Sequence, residues 1–403
     1  MSKYTPKNKY ELKDLLYKEV PLGEIDTSLI TDMSGLFFNS WEDDFSGIEK
    51  WNVSNVTNMS SMFYGAKYFN HNISAWDTSN VTNMSKMFAD SKKFDRNINS
   101  WNVSKVKNMS GMFKGASKFD SPLDNWDTSS VEDMSNMFCN AAKFKQDISE
   151  WNVSNVKNMS GMFKGASKFD RPLNNWNVSN VEDMSNIFCN AVKFNQDINS
   201  WNVSKVKNMS GMFNGASRFD SPLDKWDVGN VEDMSDMFCS AASFDQDISG
   251  WNVSKVKNFE AMFKKTEKFN QALYKWDISK AKNISSMFEG AEAFNRDIRT
   301  WNTSKVTKME AVFKETHAFN QCLNDWDTSN VVSMVSMFKG AKSFNQPLDK
   351  WNVSKVKSFA YMFYEAYRFN HPLTMWDTSS AGNMECMFYG SQLFDKKNKP
   401  IMR

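Results

Sequence analysis

The spacing of the tryptophans constrains this chain more than any other feature. Fourteen of the fifteen lie on one arithmetic series, from Trp51 through Trp76 and Trp101 to Trp376. A fixed period of 25 residues is the signature of a repeat protein, in which each repeat buries its apolar side only against its neighbours. The sequence therefore predicts a stack of coils and disfavours a compact multidomain enzyme.

Apolar residues recur within each repeat, which we number from its tryptophan as position 1. They occupy positions 1, 3, 6, 9, 12, 13, 16, 19 and 23. Positions 13 and 19 are Phe in every Trp-led coil, from Phe63 and Phe69 to Phe388 and Phe394. Because a buried aromatic side chain removes about 150–250 Å² from water, these columns are predicted to form the interior.

The spacing of these positions also predicts the shape of one coil. Trp51 and Val53 flank a polar residue, which is the period of a short strand with one face inward. Steps of three and four residues then predict one or two helical turns, roughly from Asn58 to Ala66. The predicted fold class is an α/β repeat solenoid of about fifteen coils, each a short parallel β-strand plus a short helix or turn.

Three segments are predicted along the chain. Residues 1–24 place Leu12 and Leu16 on one helical stripe, which predicts an amphipathic helix that caps the first coil. Such a cap is needed because an end coil otherwise exposes its apolar face and its edge. Residues 25–395 are predicted to form a single solenoid, and residues 396–403 a polar tail.

The charge balance argues against a polyanionic partner. Lys and Arg number 49 and Asp and Glu 47, for a net charge of +2, so the chain has no field that attracts nucleic acid or an anionic membrane by itself. No apolar run approaches about 18 residues, and the start has no export signal. We therefore expect no nucleic acid partner and no membrane insertion, and a cytoplasmic location if this sequence is the full native one.

Residues that carry catalysis or hold metals do not converge in this pattern. His71 and His371 are twelve coils apart, whereas acid–base chemistry needs unlike groups close together. Cys139, Cys189 and Cys239 share one position two coils apart, about 9–10 Å at the strand spacing and outside the disulfide range. We predict free thiols, no metal site, no cofactor and no catalytic residue.

Position 2 is Asn or Asp in every Trp-led coil, and it is predicted to face solvent. One hypothesis is a polar recognition ladder for a ligand. The other, which we favour, is structural: stacked amides bond along the axis and Asx side chains cap turns. The candidate ladder comprises Asn102, Asp127, Asn152, Asn177, Asn202, Asp227, Asn252 and Asp277.

Positions 5 and 7 form a partly basic flank beside this ladder. Between about residues 101 and 250, position 7 alternates between Lys and Glu, as in Glu132 and Glu232, so charges of opposite sign from neighbouring coils are predicted to pair. A solubilising flank is favoured over a binding site for an acidic ligand. The candidate lysines are Lys105, Lys107, Lys157, Lys205, Lys207 and Lys257.

The repeat resembles a known family. Residues 51–63, WNVSNVTNMSSMF, continued by Ala66, Phe69 and Asn70, are similar to the 25-residue repeat of BspA-family leucine-rich-repeat surface proteins of bacteria. The resemblance implies a leucine-rich-repeat-like solenoid with one parallel sheet. It also implies a secreted or cell-surface protein that acts in adhesion.

The leading functional hypothesis is a non-enzymatic surface protein that binds a protein or glycan ligand through the sheet face of its solenoid. The alternative is a structural scaffold in which the ends of the coils associate into filaments. The first hypothesis allows a monomer, whereas the second requires end-to-end self-association.

Overall fold

The computed structural model describes residues 3–400. They fall into two compact units, of which the first ends at Asp197 and the second begins at Ile198. Within each unit, successive 25-residue repeats stack as coils, and a single-residue parallel β-bridge joins each coil to the next. Between residues 3 and 400, α1 (Lys9–Tyr17) is the only α-helix. Short 3-10 helices span Leu22–Glu24, Ile48–Lys50 and Lys396–Asn398.

Helix α1 is the predicted amphipathic helix of the leader. Asn8 caps its first turn by accepting two backbone N–H bonds with its side chain, and Leu12 is fully buried. The Lys9 ammonium lies 2.5 Å from the Ser34 hydroxyl and 3.4 Å from the Asp32 carboxylate. These contacts hold α1 against the first coil of the first unit.

The aromatic columns form the interior, as predicted. Phe163 and Phe169 are fully buried and Trp151 is 3% exposed. The ring centroid of Phe163 lies 4.1 Å from that of Phe169 within its coil. Across coils, it lies 5.8 Å from Phe138 and 5.7 Å from Phe188. Each ring is thus covered from both sides by its counterparts, which is how a repeat without a core of its own becomes stable.

The tryptophans also tie neighbouring coils together through their indole nitrogens. Trp151 Nε1 donates to the Leu123 carbonyl of the preceding coil at 2.9 Å. In the second unit, Trp251 Nε1 donates to the Leu223 carbonyl at 3.0 Å. A buried carbonyl needs a donor, and indole supplies one on an apolar ring. This explains Trp rather than Phe at position 1.

The predicted helical turns over 58–66 are wrong. Met62 N donates to the Met59 carbonyl at 3.2 Å, which closes a tight turn. Ser61 and Gly65, at positions 11 and 15, have φ of 55° and 63°. Positions 11 and 15 have positive φ in every coil of both units. Residues in the left-handed region interrupt a right-handed helix, so this segment is a chain of consecutive turns.

The predicted strand at positions 1 to 3 is also wrong. There Val56 N donates to the Val53 carbonyl at 2.9 Å, so position 3 begins a turn. The parallel bridges lie instead at position 8, as in Asn108 to Asp133 and Asp133 to Asn158. The coils are joined in parallel as expected, but by single-residue bridges in the turn segment.

Four peptide groups point along the stack in most coils. The N–H groups of positions 9, 11, 13 and 15 donate to the carbonyls of positions 8, 10, 12 and 14 of the following coil. Gly161 N bonds to Ser185 O at 2.7 Å in the first unit, and Gly340 N bonds to Tyr364 O at 2.7 Å in the second. In each unit these N–H groups face the coil that comes next in sequence, so the ladder is polar.

Candidate functional site

The position-2 side chains are exposed, and each caps a turn of its own coil. Asn102 Oδ1 accepts from Ser104 N at 3.1 Å, and Asp127 Oδ1 accepts from Ser129 N at 3.0 Å. These are Asx turns. All eight candidate residues make this bond: Asn102, Asp127, Asn152, Asn177, Asn202, Asp227, Asn252 and Asp277.

The turn uses one side-chain oxygen and holds the rest of the group in place. For the acidic members, hydrogen bonds from the side chain and backbone of Ser129 lower the pKa of Asp127, and those from Ser279 lower the pKa of Asp277. The capping half of the structural hypothesis is thereby confirmed. The second polar atom, Nδ2 of Asn or Oδ2 of Asp, is not used by the turn.

The predicted pairing of charges at position 7 is confirmed in both units. Lys157 Nζ lies 3.0 Å from Glu132 Oε2, and Lys257 Nζ lies 2.5 Å from Glu232 Oε2. Hydrogen bonding and the charge of Lys157 lower the pKa of Glu132, and Lys257 does the same for Glu232. The side chains of these pairs are about half exposed to solvent, so the pairs contribute little to stability.

The other candidate lysines of the flank are also engaged. Lys105 Nζ donates to Asn80 Oδ1 at 2.8 Å, and the charge of Lys107 contributes to lowering the pKa of Glu132. Lys205 and Lys207 likewise interact with other residues. The flank is therefore a mixed-charge surface rather than an unopposed basic stripe.

A ladder that bonds along the stack exists at position 20, which the sequence analysis did not single out. Asp95 Oδ1 accepts from Asp120 N of the next coil at 2.9 Å. Asp245 Oδ1 likewise accepts from Asn270 N at 2.8 Å. The signal was present as the Asn or Asp that follows the position-19 Phe in most coils. Gln271, at position 21, adds bonds to the same Asp245 carboxylate and to its carbonyl.

All five cysteines are free thiols. Cys139 and Cys189 are buried, whereas Cys386 in the last coil is exposed. Burial raises the pKa of the Cys139 thiol and of the Cys239 thiol. Within residues 3–400, no three His, Cys, Asp or Glu side chains converge as metal ligands. Over the same span, no helix has the length and apolar character to cross a bilayer.

These features define a repeat protein with an aromatic interior and polar rows on its outward positions. The family model described as "Mycoplasma protein of unknown function, DUF285" matches residues 31–138, 119–223, 194–301 and 285–400. The chain belongs to this family. No curated protein matches it.

Several solved structures of repeat proteins show slight similarity. The TLR13–ssRNA13 complex shares 10% identity, with 93% of this chain and 57% of that chain covered and a TM-score of 0.23. The Toll–Spatzle complex of Drosophila shares 12% identity, with coverages of 84% and 49% and a TM-score of 0.28. An internalin of Listeria monocytogenes shares 9%, with coverages of 77% and 82% and a TM-score of 0.19. This chain spans about half the length of the first two, and at such scores the likeness does not extend to function.

Proposed function

We propose that this protein is a non-enzymatic repeat protein that binds another macromolecule through the position-2 ladder. The observation that carries the proposal is the local geometry of its eight members. Each fixes one side-chain oxygen in a turn and presents the second polar atom at an exposed position. A group that is already immobilised loses little conformational entropy when it binds.

The partner that fits this surface has repeated polar groups along an extended chain, as a polypeptide or a glycan has. Within each unit, the ladder offers one Asn or Asp per coil, about 4.8 Å apart at the spacing of parallel backbone ladders. The flank of ion pairs, such as Lys157 with Glu132, keeps its local charge near balance. A near-neutral flank favours hydrogen-bonding partners over nucleic acid, which is drawn by unopposed cations.

A place on the cell surface and a role in adhesion accompany this proposal. They follow from the resemblance of residues 51–70 to the BspA-family repeat. Protease accessibility on intact cells of the source organism tests the location: loss of the protein without lysis supports display, and protection contradicts it.

An array of glycans and extracellular-matrix proteins, probed with the intact chain, tests the binding. The informative variant changes Asn to Asp at position 2 in three coils. Asp retains the capping oxygen, as Asp127 does, but replaces the Nδ2 donor with a charged acceptor. The substitutions are Asn102→Asp, Asn152→Asp and Asn202→Asp.

A matched control changes Asn to Asp at position 8 of the same three coils. Position 8 also makes an Asx turn, as Asn158 Oδ1 does with Ser160 N at 2.9 Å, and Asp133 occurs there naturally. Affinity for the captured ligand is expected to fall at least tenfold for the position-2 variant only. Equal losses in both variants, or no loss in either, contradict the proposal. The control substitutions are Asn108→Asp, Asn158→Asp and Asn208→Asp.

A further inference from the structure

The polar ladder ends differently in the first and the last coil. In the last coil, four N–H groups donate to no atom of the described chain, and we call them the donor row. In the first coil, four carbonyls accept from no N–H group of residues 3–400, and we call them the acceptor row. The donor row is Met384, Cys386, Phe388 and Gly390, and the acceptor row is Asp32, Ser34, Leu36 and Phe38.

Each row is the outermost layer of a continuing column of bonds. Before the donor row, Glu365 N bonds to Tyr389 O at 2.8 Å, which leaves Gly390 N as the end of that column. After the acceptor row, Asn39 N bonds to Tyr64 O at 2.6 Å, which leaves Phe38 O as the beginning of its column. Peptide dipoles aligned head to tail leave partial positive charge at the N–H end and negative charge at the carbonyl end.

The two rows match in register. Donors occupy positions 9, 11, 13 and 15, and acceptors occupy positions 8, 10, 12 and 14. This is the pairing that joins neighbouring coils within a unit, for example Phe363 N to Met387 O at 2.9 Å. Two donor rows offer each other no acceptors, so the last coil cannot pair symmetrically with a second last coil through these groups.

Apolar side chains accompany the donor row. Phe388 and Phe394 are only half-buried, whereas Phe363 one coil earlier is fully buried. Tyr389 and Leu393 are 63% and 62% exposed. An edge that combines free N–H groups with uncovered apolar surface is a site for pairing with another chain.

We propose that the donor row of one copy binds the acceptor row of a second copy, so that the first coil of the second continues the ladder of the first. This inference is independent of the ligand proposed for the position-2 ladder. The contact joins two unlike surfaces, so each added copy leaves a new donor row open. Such head-to-tail contacts give either a closed ring or an open filament.

Helix α1 opposes this contact. It lies at the acceptor end, where Lys9 bonds to the side chains of Asp32 and Ser34 but leaves their carbonyls without a donor. A second copy therefore has to displace α1 from part of the row. We expect weak association of the intact chain and stronger association of Lys9→Ala, in which these two contacts are lost.

A cysteine trap tests the register. Cys386 is exposed at position 11 with φ of 48°, and Gly35 occupies position 11 of the first coil with φ of 59°. A Cβ added at Gly35 meets only the Phe38 Cβ, at 4.0 Å, so there is space for the side chain of Gly35→Cys, and Cys386 shows that Cys occurs at a similar positive φ. In a continued ladder, equivalent residues of adjacent coils are about 5 Å apart, which lies within the Cα range of a disulfide.

Mild oxidation of Gly35→Cys, in the Lys9→Ala background, is expected to give a ladder of disulfide-linked multimers larger than dimers. Ser61→Cys is the matched control, because Ser61 has the same position and a φ of 55° one coil further in. Ser61→Cys, and Gly35→Cys combined with Cys386→Ser, are expected to give at least tenfold less multimer. Equal cross-linking in Ser61→Cys, or dimers only, overturns the proposal.

Sedimentation velocity over a concentration series gives a second measurement without oxidation. Lys9→Ala is expected to show a sedimentation coefficient that rises with concentration more steeply than that of the wild type. The sedimentation coefficient must rise if the donor row of one copy binds the acceptor row of another. A Lys9→Ala chain that is folded by circular dichroism and stays monomeric at every concentration therefore also overturns the proposal.

Discussion

The coil at 151–175 and the last coil, 376–400, share one sequence pattern but differ in burial. Phe163 in the inner coil is fully buried, whereas its counterpart Phe388 is half-buried. Met159 is likewise fully buried and Met384 is not. The difference teaches that a repeat does not contain its own core, because the last part of the cover for each aromatic ring comes from the coil that follows.

Truncating the two equivalent phenylalanines should give the largest contrast. Phe163→Ala is expected to lower the free energy of unfolding by ~3–5 kcal/mol, the range for a buried Phe. Phe388→Ala should cost less than half as much, because its ring is already partly hydrated. Urea denaturation followed by tryptophan fluorescence measures both. Equal costs would mean that burial of position 13 does not depend on a following coil.

Replacing a tryptophan tests the bonds between coils rather than their packing. Trp151→Phe keeps an aromatic ring but leaves the Leu123 carbonyl without its indole donor. An unsatisfied buried acceptor costs about 1–3 kcal/mol, so the free energy of unfolding should fall by that amount. Trp41 is 70% exposed, and Trp41→Phe is the control, with an expected change within about 0.5 kcal/mol. A neutral Trp151→Phe would show that the indole bond contributes nothing net.

The sequence predicted the interior but not the backbone path that surrounds it. Burial of Trp151 and Phe163 followed from the period alone, because only stacking covers a row that recurs every 25 residues. Spacings of three and four residues at positions 6 to 16 fit a helix and a run of tight turns equally well. The distinguishing signal was glycine at positions 11 and 15, as in Gly161 and Gly165, where positive φ is inexpensive. Tyr361 has the same conformation, and nothing in its identity indicates it.

Of the two polar rows, the sequence predicted the role of position 2 but not that of position 20. The turn-capping role at position 2 was accessible because Asn or Asp two residues before Ser is a local pattern, as in Asn102 and Ser104. The axial ladder at position 20 joins residues 25 apart, such as Asp95 and Asp120. Its recognition requires knowing which side chains face the next coil, and that depends on the turn path that the spacing did not resolve.

Position 14 also differs between an inner coil and the last coil. In the inner coil of the second unit this position is Glu289, which has a charged neighbour in the coil on each side. Glu289 is 6% exposed and lies 2.9 Å from both Lys264 and Lys314, in the coils before and after it. Burial by itself would raise the pKa of Glu289, but hydrogen bonds from Lys314 and Lys264 outweigh it and lower this pKa. At position 14 of the last coil, Tyr389 is 63% exposed.

Glu289→Gln is therefore expected to lower the free energy of unfolding by about 1–2 kcal/mol at pH 7, because two partly buried ammonium groups lose their partner. A carboxyl with a lowered folded pKa stabilises the fold above its unfolded pKa of about 4.3, and this stability is lost as the pH falls through the folded value. The wild type and the variant should thus converge in acid. Denaturation curves between pH 3 and pH 7 measure this, and a gap that persists at the lowest pH would assign the effect to packing.

The reaction rates of two thiols compare the last coil with an inner coil at the level of single side chains. Cys386 is exposed in the last coil, whereas Cys139 is 4% exposed between neighbouring coils and its pKa is raised by burial. Since the thiolate is the reactive form, Cys386 should react with a thiol reagent at least tenfold faster than Cys139 in the native protein. Reaction of Cys139 then requires local opening of its coil. The rate of this reaction should rise in Phe163→Ala, while the rate for Cys386 stays unchanged.

Denatured, unreduced protein should show five reactive thiols, and Cys386→Ser should remove only the fast phase of the reaction in the native protein. If Cys139 reacted as fast as Cys386, an inner coil would be no better covered than the last one, and the difference in burial between them would not describe the protein in solution.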